Sequence, residues 1–284
     1  MSDAVPPVRP APPESDPPPV PRESGPPRES ASPPAAPEPG PPPAPPEPAA
    51  EEYPFWNYGD LLLFVGMVLP SIVVGALLAK AAVWLFDLHP AAKVAQVLLV
   101  QLLIYAILFG ALRLIFRVKY DRPLWRSLGW TPIPIPFGWV VGSGVATGFI
   151  VAFASSLIHT PETSNPLTDL LQGRASVILV ALFGVTLGPV CEELGFRGFL
   201  QPLLVRSLGT APGIVLAAVP FGLLHYQEYG NSWRHVLLIT LAGVAFGVMR
   251  HRTGSTKAAA VMHGAYNLLF FVVLFAQKGL SPGW

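Results

Sequence analysis

The sequence predicts an all-α polytopic membrane protein, with about seven transmembrane or membrane-embedded helices preceded by a disordered proline-rich tail. Three observations carry this reading. Of 284 residues, 51% are hydrophobic and only 12% charged, whereas a soluble domain carries about a quarter charged residues. Uncharged runs cover 61–79, 94–112 and 137–158, each close to the ~20 residues that cross a bilayer as a helix. Finally, 22 of the 35 prolines fall within residues 1–54, so the chain has two compositions rather than one. These features argue against a soluble enzyme and against a nucleic-acid binder, which needs a basic face. The lone Cys191 excludes an intrachain disulfide framework and a cysteine-rich zinc module.

The first domain is the tail, residues 1–54. Residues 1–52 hold nine acidic side chains against Arg9, Arg22 and Arg28, a net charge of −6, so the remainder is +7. Rich in Pro, Ala, Glu and Ser, the tail buries too little apolar surface to offset its ordering entropy and is expected to be disordered with polyproline II character. It opens Met-Ser-Asp-Ala-Val-Pro, without the basic start and apolar core of a signal peptide. It reads as a linker; the run Pro41–Pro46 is also compatible with a Pro-binding partner.

Residues 55–136 form an N-terminal transmembrane hairpin and a basic loop, and residues 137–284 a second membrane domain. Helical segments are expected at roughly 60–86, 91–118, 137–159, 175–206, 212–226, 233–250 and 256–277, the later ones interrupted by Pro189, Pro202, Pro212 and Pro220. All seven tryptophans (56, 84, 125, 130, 139, 233, 284) lie near segment ends, where an interfacial belt places them. The link after the second segment holds Arg113, Arg117, Lys119, Arg122 and Arg126. Arg206 ends the fourth, and Arg250, Arg252 and Lys257 follow the sixth. These lie on one side if the segments alternate. Lys/Arg excess marks the cytoplasmic side, so the tail is expected inside and the C-terminus outside.

Ionisable residues within membrane segments are functional-site hypotheses by default. Three clusters qualify: Cys191-Glu192-Glu193-Leu194-Gly195-Phe196-Arg197-Gly198, Phe221-Gly222-Leu223-Leu224-His225, and His263-Gly264-Ala265-Tyr266-Asn267. Glu193 and Arg197 are i, i+4 and form an ion pair along one helix face, which leaves Glu192 about 100° away and free to face a cavity. His263 and Asn267 also share a face, and Phe221 lies one turn before His225 and walls the same pocket. On a soluble helix Glu-Glu-x-x-x-Arg is a solvated face, and a lone histidine in an apolar segment is usually a packed residue. Here 17 uncharged residues precede Glu192, and carboxylates, histidines, an arginine and an asparagine recur across three successive segments, which argues for one shared polar site. His89, His159, His235 and His251 lie at segment ends or loops, where interfacial solvation explains them. Cys191 reads as a buried inert thiol.

In this order the motifs resemble the CPBP family of intramembrane proteases, which includes the type II CAAX prenyl endopeptidases and bacteriocin-processing, Abi-type members. The family pattern is Glu-Glu-x-x-x-Arg, Phe-x-x-x-His and His-x-x-x-Asn. Ser127-Leu128-Gly129-Trp130, and Phe246-Gly247 followed by Arg252-Thr253-Gly254-Ser255, are softer likenesses; the resemblance spans roughly 125–275. Gly195 stands where many relatives carry a bulky apolar residue and loosens the helix locally. The resemblance makes 137–284 the catalytic domain, with Glu192, Glu193, Arg197, His225, His263 and Asn267 as site residues and Phe221 and Phe196 as pocket walls.

Peptide hydrolysis needs an activated water and a stabilised oxyanion. Glu192 is the candidate base, although the sequence does not separate it from Glu193. His225 can hold the water, Asn267 with His263 can donate to the oxyanion, and Glu193 with Arg197 can fix the helix. A metal-free glutamate mechanism is the expectation. Zinc held by Glu192, His225 and His263 is the alternative, although no His-Glu-x-x-His is present. A depth count at about 1.5 Å per residue puts Glu192 about 25 Å from Ala175, in the cytoplasmic half, but puts His225 too deep for a segment that starts at the surface. The expected substrate is a membrane-anchored protein or peptide cut near its C-terminus, entering from the lipid or the cytoplasmic side. The Ala/Pro/Gly-rich composition suggests a bacterial inner membrane. The rival readings are a bacteriocin-immunity scaffold and a proton-coupled transporter, the latter without visible internal repeats.

Overall fold

The computed structural model describes Gly25 and residues 52–86, 93–161 and 173–278. Residues 1–24 and 26–51 of the proline-rich tail, His89 and Trp284 therefore lie outside the described residues. The chain divides into residues 1–49 and 50–284; the second unit holds every helix described below.

The helices are α1 (Tyr58–Gly66), α2 (Val68–Leu85), α3 (Lys93–Tyr120), the short α4 (Leu124–Ser127), α5 (Phe137–Leu157), α6 (Arg174–Val185), α7 (Leu187–Glu193), a π-helical segment (Leu194–Leu200), α8 (Gln201–Leu208), α9 (Thr210–Leu224), α10 (Trp233–Thr253) and α11 (Thr256–Lys278). No strand occurs among the described residues. Six helical stretches are long and apolar enough to span a membrane: Tyr58–Leu85, Lys93–Tyr120, Phe137–Leu157, Arg174–Leu208, Trp233–Thr253 and Thr256–Ala276. The 15-residue α9 is the shorter seventh. The chain is an all-α integral membrane protein whose outer surface is the lipid bilayer's partner.

Local chemistry explains the helix ends. Asn57 caps α1 through a reciprocal box: its side chain accepts from Gly59 N at 2.8 Å, and Asp60 Oδ2 accepts from Asn57 N at 3.0 Å. Asp60 is fully buried, pinned by Lys119 Nζ at 2.7 Å and Tyr120 Oη at 2.5 Å, so one carboxylate ties the start of α1 to the end of α3. Gly254, at φ +65°, ends α10 in the left-handed conformation glycine adopts without penalty.

The three basic regions gather on one side, as expected. Thr256 donates from its backbone N to Gly129 O at 2.8 Å and from its hydroxyl to Leu128 O at 2.6 Å. Ser255 Oγ reaches Thr131 O at 2.8 Å, and Arg250 reaches the Tyr53 hydroxyl at 3.0 Å. Arg206 holds Pro54 O and, at 3.2 Å, Trp56 O. We refer to this as the basic side; α9 and α11 run away from it, and α6 to α8 run toward it.

Trp56 departs from the interfacial role. It is fully buried, donates Nε1–H to Phe199 O at 3.1 Å and anchors a core with Leu112, Phe116, Leu128, Phe199 and Leu203. Its indole stacks on Phe199 at 5.6 Å, so the long return of the chain, not sequence position, decides its environment. Trp84, Trp125, Trp139 and Trp233 are exposed as a belt requires.

The fourth segment is one 35-residue helical stretch, but it is not straight. Thr186 leaves the helical region at φ −120°, ψ −83°, and the π-helical segment follows Glu193. A Cβ on Gly198 would lie 2.9 Å from Leu128 O, the same oxygen that Thr256 holds. α9 lies along α10 with Ile214 beside Gly247 and Gly222 beside Val236 and Thr240, so it begins level with the end of α10 and carries His225 toward the start of α10, as deep as the count from Pro212 gave.

Close backbone approach then seats α9 on α10. A Cβ at Gly222 would lie 2.7 Å from Val236 O and would collide with Thr240 Oγ1. Gly222→Ala is therefore expected to cost about 1–3 kcal/mol by overpacking and to displace His225 with α9. Thermal unfolding in detergent measures this; a melting point equal to wild type contradicts it.

Candidate active site

The fully buried tier of the site is built first. Glu193, the last residue of α7, and Arg197, in the π-helical segment, are both inaccessible to solvent. Arg197 Nη1 donates to Glu193 Oε1 at 2.8 Å, the i, i+4 pair expected from the sequence. Arg197 Nη2 donates to Gly243 O at 2.8 Å. Gly243 is the midpoint of α10, about 15 Å from either end at the helical rise, so the site sits closer to the middle of the membrane segments than the depth count gave. The guanidinium lies 4.4 Å from the Phe221 ring and 5.5 Å from that of Phe246, close enough for cation–π attraction.

His263 of α11 joins this tier. Its Nδ1 is 3.0 Å from Glu193 Oε1, its ring stacks on Phe246 at 4.6 Å, and it meets Phe221 edge-on at 5.7 Å. Glu193, as the ion-pair acceptor, takes the Nδ1 proton, which fixes the tautomer and leaves Nε2 as an acceptor. Nε2 faces Glu192 Oε2 at 3.8 Å. That separation is too long for a direct hydrogen bond and suits a water shared between them.

The second tier is more open. Glu192 has a partly exposed side chain, which approaches the His263 ring at the nitrogen opposite the one that Glu193 holds. His225 caps the end of α9, with Nδ1 2.8 Å from Phe221 O and Nε2 3.9 Å from Glu228 Oε2. The carbonyl takes the Nδ1–H, so Nε2 is the acceptor here too. Asn267 spends one Nδ2–H on Gly184 O at 2.7 Å and keeps the other. Phe196 packs edge-on against Phe221 at 5.3 Å, and both wall the buried tier. The structure thus brings Glu192, Glu193, Arg197, His263 and Phe221 together directly, attaches His225 through Phe221, and holds Asn267 one turn along α11 against α6.

Glu192, His225 and His263, the set considered for zinc, do not converge as three donors. Among the described residues no group of three or more His, Cys, Asp or Glu side chains is arranged to hold a metal ion.

Three contributors escaped the sequence reading. Gln201 is buried and donates Nε2–H to Gly247 O at 3.0 Å, repeating one turn on what Arg197 does at Gly243; its spacing of eight from Glu193 was the available signal. Glu228 sits beside His225. Tyr229, in the turn after α9, has its phenol pushed up to about 12, first by burial and then by the Glu228 and Glu192 carboxylates. His235 is not simply solvated: it is half-buried, stacked on Tyr229 at 4.9 Å, with its Nδ1 lacking a partner.

Residues 174–269 match the family model described as type II CAAX prenyl endopeptidase Rce1-like, a segment that contains all three motifs. Comparison with curated proteins and with solved structures finds no match. This segment, carrying Glu192–Arg197, Phe221–His225 and His263–Asn267, supports the CPBP/CAAX protease family.

Proposed function

We propose that the protein is an intramembrane endopeptidase of the CAAX-protease-like type that hydrolyses a peptide bond near the C-terminus of a membrane-anchored substrate in a bacterial inner membrane, with its tail cytoplasmic. The observation that carries the proposal is the two-tier arrangement. A sealed Glu193–Arg197–His263 unit lies beneath partly open Glu192 and His225 side chains.

The chemistry follows from those atoms. Water that donates one hydrogen to Glu192 Oε2 and the other to a histidine Nε2, of His263 or His225, gives the first proton to Glu192 as its oxygen attacks the scissile carbonyl. The remaining Asn267 N–H stabilises the oxyanion. Glu192 then returns the proton to the leaving amine. The Glu193–Arg197 pair, anchored to Gly243 O, keeps His263 oriented. No step needs a metal ion, and the proposed mechanism is metal-free.

The test is cleavage of a membrane-anchored peptide by the purified chain. His225→Ala and Asn267→Ala are each expected to lower the rate about 10²-fold or more, the usual cost of losing a proton-transfer or oxyanion partner. Wild-type rates in both variants would refute the assignment.

A further inference from the structure

We infer that the site opens toward the membrane face opposite the basic side, so that its substrates are anchored proteins presenting the scissile segment on the outer side of the membrane. This rests on the proteolytic reading above. Each of the three motifs pairs a closed residue with a more open one, and in each the open residue lies farther from the basic side. On α7, which runs toward the basic side, Glu192 precedes Glu193: their side chains are 27% and 0% exposed. On α9, which runs away from it, Phe221 is 2% exposed and the His225 side chain 20%. On α11, also running away, His263 is buried and Asn267 half-buried.

Below the site, toward the basic side, each continuing element contributes a buried residue. Arg197, Gln201, Ala217, Ala259 and Phe246 are all buried. Polar exposure is marked at the turn after α9, where the Glu228 carboxylate is 60% exposed 3.9 Å from His225. That turn lies at the far end of α10, and its neighbour Arg234 donates to His159 O, at the far end of α5, at 2.8 Å. An exposed carboxylate beside His225 marks a water-facing mouth, since a charge left facing lipid is costly. Lys/Arg excess assigns the basic side to the cytoplasm, which points the mouth outward.

The experiment places single cysteines at Glu228→Cys or Arg252→Cys in the full chain, in a Cys191→Ala background whose own cleavage rate is the reference. A membrane-impermeant maleimide is added to right-side-out or inverted vesicles. Glu228→Cys is expected to label more than an order of magnitude faster in right-side-out vesicles, and Arg252→Cys faster in inverted ones. A bulky maleimide at position 228 is expected to abolish cleavage of an anchored reporter relative to the same unlabelled variant, while one at 252 leaves it intact. Labelling of Glu228→Cys only in inverted vesicles, labelling of both from one side, or full activity after modification at 228 overturns the inference. Labelling is read without proteolysis. If Glu192→Gln cuts normally while the labelling pattern holds, the hydrolytic reading fails and the direction of opening stands.

Discussion

Arg197→Met is expected to lower stability by about 3–5 kcal/mol, because removing one partner leaves a buried carboxylate uncompensated. Arg197 and Glu193 are both 0% exposed, and no water competes for their charges. The guanidinium also satisfies Gly243 O and lies over Phe221, so its loss reaches α9 and α10 as well as α7. Thermal unfolding in detergent reads the effect. The double variant Glu193→Gln/Arg197→Met is expected to lose less than the sum of the single ones, because it carries no orphan charge. A single variant that melts with wild type would mean that the pair is solvated, and the closed tier would then be wrong.

Glu192→Gln is expected to reduce cleavage by about 10²–10⁴-fold, the range for loss of a general base, while shifting stability by no more than about 0.5 kcal/mol. The split follows from position. Glu192 is partly exposed and lies 3.8 Å from its nearest ionisable partner, whereas Glu193 holds both Arg197 and His263. Glu193→Gln should therefore weaken folding and cleavage together. Rate and melting temperature on the same two preparations separate the glutamates; equal loss of stability in both would contradict the division of roles.

Much of this was legible in the sequence because helical spacing fixes angular position. The i, i+4 relation of Glu193 and Arg197 survives even though a π-helical segment follows Glu193, and the looseness expected around Gly195 is where that segment runs. The offset of Glu192 gave its separate environment for the same reason. The gathering of the basic loops followed from counting spans. What failed required knowing where the chain returns. Trp56 is 143 residues from Phe199, whose carbonyl holds it in the core. His225 lies deep because α9 runs along α10, with Ile214 beside Gly247 and Gly222 beside Val236, a pairing that has no periodic signature. Gln201 carries no charge to mark it within an apolar segment, although its amide does at Gly247 what Arg197 does at Gly243.

The most direct test of the central claim is mass spectrometry of a membrane-anchored peptide incubated with wild-type protein in ¹⁸O-labelled water, with and without a chelator. The expected result is one cut near the C-terminus, ¹⁸O incorporated into the new carboxylate, a rate indifferent to chelator, and no product from Glu192→Gln. Product from Glu192→Gln at the wild-type rate, or cutting abolished by chelator and restored by zinc, would contradict a metal-free glutamate site.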